Sequence, residues 1–206
     1  MDLVYNMGKL SNFLSRLKKT KHVVRMTIVG DGAVGKTTLV QQLLQKTNHR
    51  TEKSLSKEAI EKKKITRTPF MEIETWKYRD MVFQCYDLAG QRIEGTHPLD
   101  ILKHQVLQSI DIYIFVFSVD RYKSFENLNN WMQLMDLDQK SKNEKTGFIL
   151  VGNKIDLERN VSDELVQSII GKDKYFQLYI ETCSLDGRGI DSLLDEIAII
   201  GKKLLD

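Results

Sequence analysis

The chain has 206 residues, of which 41% are apolar and 29% are charged, with two prolines and twelve glycines. This is the composition of one globular domain, and it excludes collagen, a coiled coil and a wholly disordered chain. The net charge of +3 is uneven, because the excess of Lys and Arg lies in residues 1–25 and 46–64.

An amphipathic helix is predicted ahead of the domain. Apolar residues recur at steps of four and three from Leu3 to Leu17, while basic side chains fall elsewhere on the helical wheel. Such a helix can contact a bilayer surface through residues 3–19, or it can pack permanently against its own domain. We therefore divide the chain into an N-terminal helix, 1–21, and a domain, 22–206.

The domain is predicted to be an α/β fold, because apolar runs alternate with helix-period stretches. The predicted strands are Val23–Val29, Phe70–Tyr78, Met81–Tyr86, Ile112–Val119, Phe148–Val151 and Phe176–Tyr179. Only two residues separate the second and third, so these form an antiparallel hairpin at one edge. The fourth is apolar on both faces, as a central strand covered on both sides requires. The prediction is a mostly parallel six-stranded sheet with helices on both faces.

The apolar segments, the cysteines and the lysine-rich connector indicate where the protein is located and which partners it has. The chain shows no signal-peptide pattern, and its long apolar run near residue 115 is shorter than the ~18 residues that span a bilayer. Cys85 and Cys183 match no metal-ligand spacing and are expected to be reduced core thiols of a cytosolic protein. The lysine-rich connector 46–66 has no strand pattern and lacks interleaved aromatics, so we expect a solvated loop and no nucleic-acid partner.

A phosphate-binding loop is predicted between the first strand and a helix that begins at Lys36. The run from Gly30 to Thr37 fits G-x-x-x-x-G-K-[ST] and has the strand-to-helix setting that this motif requires. Its backbone N–H groups would surround phosphate oxygens, Lys36 would reach the terminal phosphates, and the Thr37 hydroxyl would ligate Mg²⁺. The alternative is a turn that binds nothing, but such a match arises by chance on the order of one time in a hundred. The fold is therefore that of a P-loop NTPase.

The base is indicated by Asn153, Lys154 and Asp156, which follow the fifth predicted strand. A carboxylate can accept hydrogen bonds from N1–H and the 2-amino group of guanine, whereas adenine has neither donor. The stem of Lys154 can cover one face of the base, and Asn153 can brace the loop. Taken alone, these residues could be a capped turn before a helix. After a phosphate loop and a later strand, they indicate guanine.

With these two motifs the chain resembles the Ras-like small GTPases, over essentially all of Val23 to Leu205. A third element, beginning at Asp87, is similar to the family's D-x-x-G-Q. By that resemblance Asp87 holds Mg²⁺ through water, the Gly90 N–H contacts the γ-phosphate, and Gln91 orients the attacking water. A polar β-turn is the alternative interpretation.

Two further elements depart from the Ras pattern and resemble the Arf (ADP-ribosylation factor) branch. In the loop similar to the one that contacts the guanine oxygen, Leu185 replaces the lysine common in Ras relatives, and Cys183 resembles the Arf version. For the Mg²⁺-binding threonine of the first switch, we choose Thr68 over Thr51 and Thr66. It directly precedes the hairpin, and its interval to the D-x-x-G-Q element matches the Arf and heterotrimeric Gα pattern without a gap.

These motifs and the resemblance give one set of expected site residues. The expected catalytic residues are Gln91, Lys36 and Gly90. The expected metal ligands are Thr37, Thr68 and Asp87. The expected nucleotide-binding residues are Asp31, Gly32, Ala33, Val34, Gly35, Lys36, Thr37, Thr38, Asn153, Lys154, Asp156, Cys183, Ser184 and Leu185.

The resemblance implies a monomeric GDP/GTP switch with Mg²⁺ as cofactor and slow hydrolysis of GTP. Its partners would be the guanine nucleotide, an exchange factor, a GTPase-activating protein and effector proteins. Arf proteins carry a similar N-terminal helix, so the resemblance also implies membrane contact that depends on the nucleotide. The last residues contain no cysteine for prenylation, so we expect any anchor at the N-terminus.

Two other functions stay open at this point. A GTP-binding scaffold or receptor subunit that does not cycle is favoured if Pro69 and Phe70, which are atypical beside the chosen threonine, prevent switching. A P-loop kinase or ATPase would not need Asp156. A competition of GDP against ADP separates the second from both guanine-binding functions.

Overall fold

The structure is a computed structural model, and it describes residues 23–50, 71–88, 109–137, 146–171 and 175–206. The predicted N-terminal helix, Thr68, Gly90 and Gln91 lie outside these residues. The described strands are β1 Val23–Val29, β2 Met71–Tyr78, β3 Met81–Leu88, β4 Ile112–Ser118, β5 Gly147–Asn153 and β6 Leu178–Thr182. The described helices are α1 Lys36–Arg50, α2 Tyr122–Glu126, α3 Leu128–Leu134, α4 Asp163–Gln167 and α5 Ile190–Leu205.

The six strands form one sheet in the order β2-β3-β1-β4-β5-β6, which confirms the predicted fold class. Among the described strands only the β2–β3 pair is antiparallel, as its two-residue connection requires, and this pair lies at one edge. β1 pairs in parallel with β3 on one side and with β4 on the other, so the strands that follow it in the chain lie on both sides of it. The carboxyl end of β1 is therefore the switch point of the sheet, the place where open α/β sheets bind ligands.

Each face of the sheet is covered by its own apolar cluster, and β4 contributes to both. All seven residues of β4 are buried. Because side chains alternate along a strand, one set packs with residues of α1 and α5, and the other packs with residues of α2 and α3. The first set is Ile112, Ile114 and Val116, and the second is Tyr113, Phe115 and Phe117. The predicted central strand is confirmed.

The last strand lies two to three residues further along the chain than predicted. Phe176 packs edge-on against Phe115, with ring centroids 5.2 Å apart, and forms only an isolated bridge. The side chain of Gln177, instead of its backbone, accepts a hydrogen bond from the Phe148 N–H. The polar pair Glu181 and Thr182 continues the ladder beside β5, a feature that an apolar pattern does not predict.

The first helix is also longer than predicted, since it reaches Arg50 and takes in the start of the connector that was expected to be a loop. Thr47 is buried, and its hydroxyl donates to the carbonyl oxygens of Leu43 and Leu44. No helix among the described ranges is both long and apolar enough to cross a membrane.

A glycine at the start of α5 provides a test of this packing. Gly189 has φ +75°, and a Cβ there would lie 1.9 Å from the Glu181 carbonyl oxygen. Gly187 has a similar φ of +85°, but its Cβ would meet no atom closer than 3.9 Å. We expect Gly189→Ala to lower the free energy of unfolding by about 3 kcal/mol or more, and Gly187→Ala by only about 1 kcal/mol of left-handed strain. Urea unfolding measures both, and equal losses would contradict the packing described.

Candidate functional site

The predicted phosphate-binding loop lies at the carboxyl end of β1 and has a conformation that is tightly constrained. Gly30, Ala33 and Gly35 have φ values of 144°, 62° and 97°. A Cβ on Gly30 would lie 2.1 Å from the Val116 carbonyl oxygen, and one on Gly35 would lie 2.4 Å from Nδ2 of Asn153. Only glycine fits at these two positions, because neighbouring backbone and side chain occupy the space.

The side chain of Lys36 lies inside this loop. Its Nζ donates to the carbonyl oxygens of Gly30, at 2.8 Å, and of Asp31, at 2.9 Å. Burial lowers the pKa of Lys36 to about 8, an effect that the nearby Asp87 and Asp31 carboxylates partly offset. A phosphate oxygen would therefore restore a charged acceptor to an ammonium group that the fold keeps partly desolvated.

The two expected metal ligands within the described residues are in contact. The Thr37 hydroxyl, at the start of α1, donates to Oδ2 of Asp87, near the end of β3, at 2.6 Å. Asp87 is buried. Hydroxyl and carboxylate oxygens are hard ligands, and Mg²⁺ usually takes one or two protein groups and fills its other positions with water and phosphate oxygens. The pair fits a magnesium site of that kind.

Asn153 joins the phosphate loop to the end of β6 and the loop that follows it, which contains the expected guanine-binding residues Cys183, Ser184 and Leu185. It is fully buried at the end of β5. Its Nδ2 donates to the Val34 carbonyl oxygen at 2.8 Å, and its Oδ1 accepts from the Thr182 hydroxyl and from the N–H and hydroxyl of Ser184. One side chain thus fixes three segments relative to one another.

Beyond Asn153, the chain presents the expected guanine-binding groups at the surface. Lys154 has φ +65°, and Asp156 is exposed. The buried Cys183 thiol donates to Oδ1 of Asp156, with Sγ and Oδ1 3.1 Å apart. Burial raises the pKa of Cys183, so the thiol stays protonated and remains a donor at neutral pH. Leu185 is 74% exposed, which leaves it free to cover a ligand.

The structure also shows contacts to the phosphate loop that the sequence analysis missed. The Asp31 carboxylate accepts from Nδ2 of Asn127 at 2.8 Å and from Nε1 of Trp131 at 2.9 Å. Nη2 of Arg121 donates to the Gly32 carbonyl oxygen at 2.7 Å. About ninety to a hundred residues separate these partners along the chain, and no local pattern in the sequence indicates such a pairing.

The other predicted site residues have simpler placements. Gly32, Ala33 and Val34 lie in the loop itself, and Thr38 lies half-buried in the first turn of α1. Thr68, Gly90 and Gln91 lie outside the described residues, so their roles stay predictions.

Comparison with known proteins places these observations in a family. The model of the Ras family matches residues 25–201. Rab7 of Pisum sativum is 27% identical over 87% of this chain and 82% of its own length, and Rab-9A of Homo sapiens is 28% identical over 84% and 79%. Rab-28 of Caenorhabditis elegans is 27% identical over 77% of this chain. The matched region covers 59% of the length of Rab-28, which is less than two thirds.

These relatives correct one expectation. They are Rab proteins, so the comparisons do not support an Arf-like chain. That expectation depended on the interval from Thr68 to Asp87, on Cys183 and on the N-terminal helix; Thr68 and that helix lie outside the described residues. The spacing of one switch and an amphipathic segment are features that a chain of another branch can have as well.

The contact geometry around Asp156 gives a prediction of base selectivity. We expect Asp156→Asn to weaken GDP binding on the order of a hundredfold or more, because the two hydrogen bonds to a charged acceptor are lost. The asparagine amide can instead donate to the 2-oxo group of xanthine, so xanthosine diphosphate binding should strengthen.

The matched control is Asp186→Asn, since Asp186 is an exposed carboxylate of the following turn that pairs with Arg188. Competition of the two diphosphates against labelled GDP measures both variants. A loss of guanine preference in the control as well would contradict the assignment to Asp156.

Proposed function

The chain belongs to the Ras family of small GTPases, and we propose that it is a GDP/GTP switch that binds guanine nucleotide with Mg²⁺ and hydrolyses GTP slowly. The observation that carries this proposal is the position of Asn153. Its side chain joins a loop built for phosphates to a segment that presents a carboxylate for a purine. A phosphate site and a base site at one edge of a sheet are the requirements of a nucleotide-binding protein.

The proposed roles follow from the contacts. Lys36 and the N–H groups of the loop hold the β- and γ-phosphates. Thr37 would ligate Mg²⁺, Asp87 would hold it through water, and Thr68 would be a further ligand in the GTP state. When bound, Mg²⁺ supplies positive charge that neutralises the phosphate oxygens during transfer. Asp156 selects guanine, and the stem of Lys154 covers one face of the base.

Leu185 and Cys183 are two residues of the proposed guanine site that act through contacts with the base and with Asp156. We propose that Leu185 covers part of the base where Ras relatives carry a lysine, because its side chain is exposed beside the guanine-side loop. The Cys183 thiol holds the Asp156 carboxylate in place through its hydrogen bond. We also propose that the GTPase domain comprises residues 22–206.

Catalysis would depend on Gln91, which orients the attacking water, and on Gly90, whose N–H contacts the γ-phosphate. Hydrolysis is expected to be slow. In the part of the chain that the structure describes, Arg121 contacts the phosphate loop, and its Nη2 donates a hydrogen bond to the Gly32 carbonyl oxygen. An activating partner that supplies an arginine is therefore part of the proposal, along with an exchange factor and effectors.

The second part of the proposal concerns the N-terminal segment. Its apolar stripe from Leu3 to Leu17, with basic residues beside it, is the pattern of a helix that lies at an anionic bilayer surface. We propose that residues 3–19 give peripheral membrane contact and that the strength of this contact depends on the bound nucleotide. The pattern of the residues supports this, without reference to the Arf branch.

A GTP-binding scaffold that does not cycle is the alternative function. The specific observation in its favour is Phe70, which stands where switch sequences usually have glycine. A bulky residue there restricts the backbone conformations of the segment. The two functions differ in whether bound GTP is turned over.

Substitution of Gln91 tests cycling. We expect Gln91→Leu to reduce the single-turnover rate of GTP hydrolysis at least about tenfold, with GDP and GTP affinities unchanged. The control is Gln167→Leu, since Gln167 is exposed on α4. An unchanged rate in Gln91→Leu would remove Gln91 from the mechanism. Retention of GTP without hydrolysis by the unaltered protein would favour the scaffold.

Deletion of residues 1–19 tests membrane contact. We expect the full chain to co-sediment with vesicles containing phosphatidylserine, more strongly in one nucleotide state, and the shortened chain to remain in the supernatant in both. The reason is that the deletion removes both the apolar stripe and the basic side chains beside it. Equal sedimentation of the two proteins would show that the helix does not carry the contact.

A further inference from the structure

The side chain of Asp31 points out of the phosphate-binding loop toward the helices that follow β4. Asn127 and Trp131 donate to its two carboxylate oxygens, and Arg121 donates to the carbonyl oxygen of the next residue, Gly32. Asn127 and Trp131 are four residues apart, so they lie on the same side of α3 and its first turn. We call Asp31, Arg121, Asn127 and Trp131 the loop clamp.

The clamp connects a strained loop to a rigid support. Trp131 is 6% exposed and belongs to the apolar cluster on one face of the sheet, together with Phe115 and Phe117 of β4. The loop contains a non-glycine residue, Ala33, with φ +62°, and such a conformation costs roughly 1 kcal/mol or more. Strain of this kind persists only where surrounding contacts determine the backbone.

The clamp also determines the orientation of the Asp31 carboxylate. Asp31 lies in a loop whose proposed ligand is a polyphosphate, and a carboxylate that turned toward that ligand would repel it. The amide of Asn127 and the indole of Trp131 hold both carboxylate oxygens on the helix side of the loop. The Asp31 carboxylate is therefore hydrogen-bonded on the helix side of the loop, although it still lies close enough to Lys36 to offset part of the fall in the pKa of that group that burial causes.

We propose that the loop clamp holds the phosphate-binding loop in the conformation that receives nucleotide, and that it thereby sets the rate at which nucleotide dissociates. Trp131 and Asn127 are positioning residues in this proposal, since they act through Asp31. The inference rests on the proposed function, because it concerns nucleotide bound at that site. Its distinctive consequence is that removing an indole N–H from a buried side chain changes nucleotide release.

The chain contains two tryptophans, and they provide a matched pair. Trp131→Phe removes the Nε1–H that bonds Asp31. Trp76→Phe makes the same change at a buried residue of β2, whose Nε1 has no hydrogen-bond partner within the described residues. We expect GDP with a fluorescent label to dissociate from Trp131→Phe about tenfold faster than from the unaltered protein, since a hydrogen bond to a charged acceptor is lost. Release from Trp76→Phe should stay within about twofold, because no bond is lost.

A double-substitution experiment separates the clamp from general loosening of the core. If Trp131 acts through Asp31, release from the Asp31→Ala, Trp131→Phe double variant should be no more than about twofold faster than from Asp31→Ala alone. If the two effects multiply instead, Trp131 acts by another route, and the proposal is overturned.

A second pair of variants keeps the test valid if Trp131→Phe does not fold. Asn127→Ala removes the other donor, and Asn127 makes no side-chain cap bond to its helix. The control is Asn130→Ala, since Asn130 is exposed on the same helix. We expect faster release only from Asn127→Ala. Equal release from both members of each pair, with GDP retained by the unaltered protein, overturns the clamp alone. Failure of the unaltered protein to retain GDP with Mg²⁺ overturns the proposed function itself and the clamp with it.

Discussion

The hydrogen bond between Nδ2 of Asn153 and the Val34 carbonyl oxygen is the contact on which the geometry of the site depends. Asn153 ends β5, and in the sheet register it pairs with Ser118 of β4 and Thr182 of β6. All three polar side chains are buried, where an unmet hydrogen bond would be costly. Because each strand must end at this edge with its polar groups satisfied, the loops that follow are held in fixed relative positions.

A bound anion at this edge would stabilise the charged form of Lys36. Lys36 is buried inside the phosphate loop with its pKa lowered by desolvation, and its present acceptors are carbonyl oxygens. Desolvation therefore opposes its ammonium form in the folded state, and a phosphate bound beside it would favour that form. Asp31 differs from Lys36, since its carboxylate already accepts hydrogen bonds from Asn127 and from Trp131 of α3.

Family and branch were predicted with unequal success, and the reason is physical. The phosphate loop and the guanine motif are constrained by chemistry, since few residue types can cradle a phosphate or accept from N1–H. They indicated a Ras-like GTPase, and the family match agrees. The interval from Thr68 to Asp87 is set mainly by the lengths of β2, β3 and their two-residue connection, and strand length carries none of the chemistry of the nucleotide site. That interval pointed to Arf, whereas the relatives named above are Rab proteins.

The sequence by itself determined the alternation of helices and strands, the edge hairpin and the central strand β4, because each follows from the local spacing of apolar residues. It also predicted which residues form the phosphate loop and the guanine motif, since each motif is contiguous. The tertiary structure alone decided the polar end of β6 and the side-chain bridge of Asn153. It alone decided the bonds of Asp31 to Asn127 and Trp131, because these join residues about a hundred positions apart. Contacts at such distances arise only when the sheet brings its strand ends together, and no local pattern encodes them.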